Sequence, residues 1–397
     1  MGLRNLDNVM PAITLDFYNS KQLDPRVTFT RASYSNNAGD PVNQPSAGTG
    51  TSGGQLQEFN TNVPRLTDQG LLIEEDKANL IEDSAFQDSS FWTASNASPT
   101  YNSAIAPDGT TTAVLLPAGN NSIYTTINVT TNSTFSVWVK SAAAGVHGTT
   151  RIYCNVSAGN PEFYTPFTTT DTWQRLSVTR TDTGSATVYC QIGNWRNRNG
   201  PTQDILIWGA QLETGQFPTS YIPTSGATVT RARDICLING TNLSSWYNNS
   251  QGTFLVQAPY LYSQGTNADR TFFISTDGSN TMLGSNIFSN NYRDIRSNNL
   301  NAGVSAVATL PIDNSLNGAN LKIAWAYATG DPELAVNIPE TTFTESTSSS
   351  QTAYPALLQI GEDPRSSTNV NCLNGYLSRI CYYPTRVSDT ALQGVTR

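Results

Sequence analysis

The chain has 397 residues, of which 38 % are hydrophobic and only 13 % charged, with a formal net charge of −8 and a pI near 4.7. Its length suits two or three domains with cores of their own, while the acidic balance and the scattered Lys and Arg argue against nucleic acid or an anionic membrane as partner. One histidine, His147, and four lysines leave few groups for proton transfer, so the composition favours a binding or structural protein over an enzyme.

Alternation at period two runs the length of the chain and predicts strands. Ile13, Leu15 and Phe17 fall on one strand face, and Val27 and Phe29 on another. Phe135, Val137 and Val139 share a face, with Trp138 pointing the opposite way. Further strands are expected at 152–156, 176–179, 188–192, 205–208, 254–257 and 272–275, and Leu321, Ile323, Trp325 and Tyr327 give the cleanest alternation. Turn-formers punctuate these runs, as in Pro107-Asp108-Gly109, Asp182-Thr183-Gly184, Asp277-Gly278 and Asn374-Gly375. The only helix expected is a short one over 388–395. Residues 34–64 are too polar for a core and read as a long loop or arm, and the Gly/Pro/Thr/Ser stretch at 214–234 marks a second division. The expected class is all-β: two antiparallel β-sandwiches over 76–233 and 234–397, preceded by an extended N-terminal segment over 1–75 that carries the arm and serves attachment.

No run approaches the roughly 20 apolar residues that span a bilayer, and Met1-Gly2-Leu3-Arg4-Asn5 lacks the apolar core of a secretory signal. Cys154, Cys190, Cys236, Cys372 and Cys381 have no CxxC pair or metal-finger spacing, so buried free thiols are the default. The pairings Cys154–Cys190 and Cys372–Cys381 stay open.

Several segments recur together in a known order. Leu15-Asp16-Phe17, Leu23-Asp24-Pro25-Arg26-Val27-Thr28-Phe29-Thr30-Arg31-Ala32-Ser33, Gly70-Leu71-Leu72-Ile73-Glu74 and Asn79-Leu80 come first. Ala106-Pro107-Asp108-Gly109-Thr110, Phe135-Ser136-Val137-Trp138-Val139-Lys140, Gly209-Ala210-Gln211-Leu212-Glu213-Thr214-Gly215 and Thr219-Ser220-Tyr221-Ile222-Pro223-Thr224 follow. This order resembles a family of tailed-bacteriophage virion proteins with a carbohydrate-binding-module-like jelly roll. The close, Leu373-Asn374-Gly375-Tyr376-Leu377-Ser378-Arg379-Ile380 with Tyr383-Pro384, resembles the last strands of concanavalin A/laminin-G-like sandwiches. The resemblance covers most of 13–234 and the last thirty residues. It implies a structural protein on the virion surface, made in the bacterial cytoplasm: a tail fibre or appendage adhesin with weak host-glycan binding, or alternatively a capsid-decoration, head-fibre or knob protein. Relatives usually have a compact turn where this chain has the 34–64 insertion. Implied partners are capsid, portal or tail components, a host surface glycan and further copies of the chain, a trimer being the expected state.

Three chemistries compete for a site. Acyl transfer would need His147, which lies in a small-residue loop without a Gly-x-Ser-x-Gly elbow, and solvent exposure is the simpler reading. A glycan depolymerase needs two convergent carboxylates. Glu74 and Glu75 of Glu74-Glu75-Asp76 alternate across a strand, and Glu362-Asp363 is the other acidic cluster, so solvated or ion-paired surface acids are expected. Glycan binding uses aromatics beside amides and guanidinium groups, which Trp195-Arg196-Asn197-Arg198-Asn199 offers in one loop; Trp92, Trp246-Tyr247-Asn248-Asn249 and Tyr292-Arg293 are lesser candidates. Trp138, Trp173, Trp208 and Trp325 read as core. No cofactor is expected; calcium would fall on Asp108, Asp277 or Asp331, which turn-capping explains equally well. A free lectin of cellular origin is the reading that needs neither particle nor catalysis.

Overall fold

In the computed structural model the alternating runs become antiparallel ladders, and the chain is all-β as expected. The structure describes residues 6–7, 9–36, 56–156, 162–261, 270–276, 281–288, 294–299, 304–309, 320–328, 331–338, 341–347, 357–362 and 372–396. Two units form. One comprises Met1–Ala32, Asn62–Glu75 and Arg233–Arg397, the other Ser33–Thr61 and Asp76–Ala232.

The N-terminal 75 residues therefore do not stand apart as a segment of their own. Their strands are placed by ladder partners far along the chain. Ile13–Asp16 pairs with Arg379–Tyr383, Thr28–Thr30 with Ile235–Asn239, and Gly70–Ile73 lies between Arg65–Thr67 and Gly375–Leu377. A strand cannot satisfy its backbone groups alone, and apart from Arg65–Thr67 these partners appear in sequence only after residue 234. Most of the expected arm, 37–55, lies outside the described residues; its ends are held by Ser35–Asn36 paired with Glu58–Phe59.

In the unit containing Asp76–Ala232, two five-stranded sheets enclose one core. The first runs in the order Gln174–Arg180, Ser133–Ser141, Ile205–Thr214, Ala113–Leu116, Thr100–Ala104. The second runs Tyr164–Thr168, Thr149–Val156, Ala186–Gly193, Ser122–Val129, Thr93–Ser95. Phe135, Val137 and Val139 from the first meet Ile152, Cys154, Val188, Cys190 and Ile192 from the second. Trp138 does point the other way, into a separate cluster with Ala106, Ala113, Trp208 and Tyr221. There it lies 5.6 Å from the Trp208 ring and 5.2 Å from Tyr221, with the Arg175 guanidinium 4.6 Å over it. The alternation of 205–214 changes phase: Ile205 and Ile207 face the core, then Ala210 and Leu212 do. The shift falls at Gly209, whose φ of +68° only glycine adopts easily, and a Cβ there would meet the Trp138 ring at 2.7 Å.

The carboxyl group of Asp83 lies in this unit and is buried, which pushes its pKa above the ordinary carboxylate value although the backbone N–H of Asp88 donates to it at 2.6 Å. A carboxylate whose folded pKa is raised costs stability once ionised, and the cost disappears as pH falls through that pKa. Asp83→Asn is expected to melt higher than the parent at neutral pH, with the gap closing towards about pH 4. Thermal unfolding of both proteins across that range checks it, and a gap independent of pH would contradict it.

The other unit builds one core from three sheets. Ile13, Leu15, Phe254, Val256, Trp325, Tyr327 and Tyr382 come from the sheet ordered Ile13–Asp16, Arg379–Tyr383, Gln251–Ala258, Leu321–Ala328, Glu333–Val336. Phe29, Cys236, Ile238, Leu358 and Ile360 come from an eight-stranded sheet, and Leu71, Ile73 and Leu377 from a four-stranded one. The expected C-terminal helix is present as Asp389–Thr396, with Leu392 packed on Ala324, Ala326 and Tyr383.

A buried ionic cluster lies in the same unit. Arg65 donates to Glu74 Oε2 at 2.6 Å and to Asp234 Oδ2, Arg31 donates to Asp234 Oδ1 at 3.1 Å, and all four side chains have no exposed surface. The Glu74 N–H also donates to Asp234 at 2.9 Å. Burial alone would lower the Arg65 pKa, but the two carboxylates raise it above the ordinary guanidinium value. Glu74 is therefore not the surface acid expected from sequence. Each of the four residues stands within a few positions of a point where the chain passes between units, at 32/33, 61/62, 75/76 and 232/233.

Candidate functional site

Strand parity assembles the site. In the second sheet of the Asp76–Ala232 unit, Ile152, Cys154, Val188, Cys190, Ile192 and Ile123 point inward, so the residues between them point outward. Those residues are largely aromatic. Tyr164, Tyr153, Gln191 and Tyr124 stand in one register across four neighbouring strands, with Tyr189 two positions before Gln191. Ring centroids lie 5.9 Å apart for Tyr153–Tyr164 and 5.6 Å for Tyr124–Tyr189. At the usual strand spacing the row is about 14 Å long. Tyr164 is 40 % exposed, and Tyr124 and Tyr189 are partly exposed.

Trp195 joins this face differently from the expectation. It is only 7 % exposed, stacked at 5.7 Å on Tyr153 and edge-on at 5.5 Å to Tyr189. Its backbone pairs with Arg198 at 3.0 and 3.1 Å, closing a two-residue turn in which Arg196 and Asn197 have φ of +52° and +63°. That turn throws Arg196, Asn197 and Arg198 outward while Trp195 folds back onto the tyrosines; polar neighbours in sequence do not imply an exposed indole. The Arg196 guanidinium lies 5.5 Å over the indole, Arg198 pairs with Glu162 at 3.2 Å, and Asn197 accepts from Asn120 at 3.3 Å. Asn199 sits within 3.5 Å of the Tyr153 hydroxyl, whose pKa burial pushes up.

At the edge of the row a cavity of about 480 Å³ opens, lined among others by Thr149, Thr150, Arg151, Thr168, Asn199 and Thr202. The Arg151 guanidinium lies 4.1 Å over the Tyr164 ring. Sequence reading missed Arg151 and all four tyrosines, although aromatics at outward parity in otherwise apolar strands were the available signal.

The remaining candidates separate. Trp92 is buried, its indole N–H donating to the Asp83 carbonyl at 2.8 Å, and Trp246 and Tyr247 are buried in the core of the other unit. Tyr292-Arg293, Asp277 and Asp363 lie outside the described residues. His147 is exposed, as expected, but its Nδ1 lies 3.1 Å from the hydroxyl of Ser141; that serine is itself buried and offers no nucleophile to solvent. Glu362 is buried and paired with Arg233 at 2.5 Å, another departure from a surface acid. Asp108 accepts through Oδ1 from the backbone and hydroxyl of Thr110, a turn cap, and Asp331 pairs with Arg386 at 2.8 Å. All five cysteines are buried and free; Cys154 and Cys190 are direct cross-strand neighbours, and burial raises the Cys190 thiol pKa. Among the described residues no helix is long and apolar enough to cross a membrane.

One exposed and two partly exposed phenol rings around the fully buried Tyr153, with amides, hydroxyls and a guanidinium at the edge, suit a ligand that is flat and apolar on its faces and polar at its rim. No protein-family model matches the chain, and no curated protein matches it. Among solved structures, the N-terminal tandem CBM22 domain of Paenibacillus barcinonensis Xyn10C is 10 % identical over 79 % of this chain and 98 % of its own, at a TM-score of 0.27. Mouse laminin α1 domains LG4-5 are 9 % identical over 72 % of this chain and 86 % of theirs, at 0.24. A Trypanosoma rangeli sialidase is 12 % identical over 41 % of this chain, which spans only 25 % of the sialidase's length, at 0.30. At such scores the likenesses decide nothing about this chain's chemistry.

Proposed function

We propose that the Asp76–Ala232 unit binds carbohydrate along the outer face of its tyrosine-bearing sheet. The observation that carries the reading is the outer face of these four strands, where Tyr164 is 40 % exposed and Tyr124 and Tyr189 are partly exposed around the buried Tyr153, so that phenol rings at separate points of one face can stack on sugar rings. Asn197 and Asn199, both exposed, supply amide groups beside these rings. Single contacts of this kind are weak, and several copies on one particle would raise the avidity. The ordered segments from Leu15 to Thr224 support a place on the surface of a tailed-phage virion, as a tail-fibre or appendage adhesin built as a homo-oligomer among other virion proteins.

Tyr164→Ala tests the binding face, because the ring is exposed enough for the fold to survive its loss. Affinity for whichever immobilised polysaccharide the parent retains is expected to fall by about 0.5–1.5 kcal/mol, or two- to twelvefold, with an unchanged melting temperature. Retention equal to the parent's would remove the tyrosine strip from the reading. Antibody-gold labelling of particles from a phage encoding the chain tests the location. Label on fibres or tail tip fits an adhesin, label over the head makes it a decoration protein, and unlabelled particles refute a virion role.

A further inference from the structure

The cavity at the end of the tyrosine strip has a charge that sets it apart from the rest of the chain. In a protein of net charge −8, its lining holds one guanidinium, Arg151, and no carboxylate. Among the described residues Arg151 has no acidic partner; the Tyr164 ring and the Tyr153 hydroxyl are what it lies against. The nearby turn adds Arg196 and Arg198, the latter paired with Glu162. The rest of the lining is hydroxyl and amide: Thr149, Thr150, Thr168, Asn199 and Thr202, with Thr149 and Thr202 linked to each other at 3.2 Å. A volume of about 480 Å³ is in the range of pockets for small ligands.

We propose that this cavity takes an acidic sugar residue, one whose ring bears a carboxylate or a sulfate, as the charged member of the glycan lying on the tyrosine strip. The inference rests on the carbohydrate-binding reading and specifies its ligand class. Arg151 receives the anion through charge-assisted hydrogen bonds, which a neutral sugar cannot make. Tyr164 does two things: it holds the guanidinium from one side as a cation–π partner, and it offers its exposed surface to the sugar. The threonine hydroxyls and the Asn199 amide reach the ring hydroxyls and carry no charge that would repel the anion.

The test is a glycan array of matched neutral and acidic members, including a galacturonic acid oligomer beside its methyl ester and dextran beside dextran sulfate, probed with the full chain, with Arg151→Gln, with Arg151→Lys and with Tyr164→Ala. The acidic member of at least one pair is expected to bind about tenfold or more tighter than its neutral counterpart at low salt, the lower end of what a hydrogen bond to a charged group contributes. The carboxylate and sulfate pairs tell which anion is preferred. Arg151→Gln should abolish the preference, and Arg151→Lys should recover part of it. Tyr164→Ala should weaken both members. Equal binding of acidic and neutral members, or a preference that survives in Arg151→Gln, overturns the acidic ligand and leaves the glycan-binding reading standing. No binding to any member overturns both.

Discussion

Arg65→Ala is expected to destabilise its unit by about 3–5 kcal/mol, the cost of removing one partner from a buried ionic group. The guanidinium bridges Glu74 and Asp234, and neither carboxylate has any contact with solvent. Truncation leaves two buried negative charges at close quarters, with Arg31 still beside Asp234. Hydrogen exchange followed by mass spectrometry separates this loss from a general effect: peptides covering 13–16, 235–239 and 379–383 should exchange faster, and those covering 133–141 and 186–193 should be unchanged. Arg26→Ala is the control. Arg26 pairs with Asp24 at the surface, where an ion pair contributes about 1 kcal/mol or less. Equal losses in the two variants would show that the cluster holds nothing together.

Trp138→Ala is expected to cost the other unit about 3–5 kcal/mol, the range for a buried tryptophan truncated to alanine. The indole fills the space between Trp208, Tyr221 and the Arg175 guanidinium, and Gly209 approaches so closely that no side chain could stand there. Losing it also strips the cover from Arg175, whose Nη1 donates to Thr219 at 2.7 Å and Nη2 to Ser136 at 2.9 Å. Denaturant unfolding with the half-buried Trp173→Ala as comparison checks it, since Trp173 should cost much less. Similar midpoints for the two would mean that the second cluster is incidental to the fold.

The strand pattern was legible because parity is a local property. Phe135, Val137, Val139 and the opposed Trp138 needed no information beyond their own segment, and the same rule places Tyr153 between Ile152 and Cys154 on the outer face. Where one residue changes the parity, the rule fails without notice: Gly209 shifts Ala210 and Leu212 onto the face that Ile205 and Ile207 began. Trp195 was misjudged for a related reason. Its neighbours are polar because they form the turn, and the turn returns the indole to the sheet. Of the ionic cluster only Arg65 and Glu74 are local neighbours, across one hairpin; Asp234 joins Glu74, Arg65 and Arg31 over separations of 160, 169 and 203 positions, which no local pattern reveals. Arg31 and Arg231 show how little the local string decides. Both sit in Thr-Arg-Ala and both are buried, yet Arg31 reaches Asp234 while Arg231 donates to the carbonyl of Ala232 at 3.1 Å.

The cluster also imposes an order on synthesis. Ribosomes deliver Arg31, Arg65 and Glu74 long before Asp234, with the whole of Asp76–Ala232 between. The strands flanking the two arginines wait as well, because Ile235–Asn239 and Arg379–Tyr383 emerge later still. A nascent chain can thus finish the inserted unit while its own beginning stays unpaired, an exposed interval in which strand edges seek other partners. Pulse-labelled chains released just before Asp234 should carry a protease-resistant fragment from the inserted unit and a labile N-terminus, and released chains that include Arg379–Tyr383 should protect both ends.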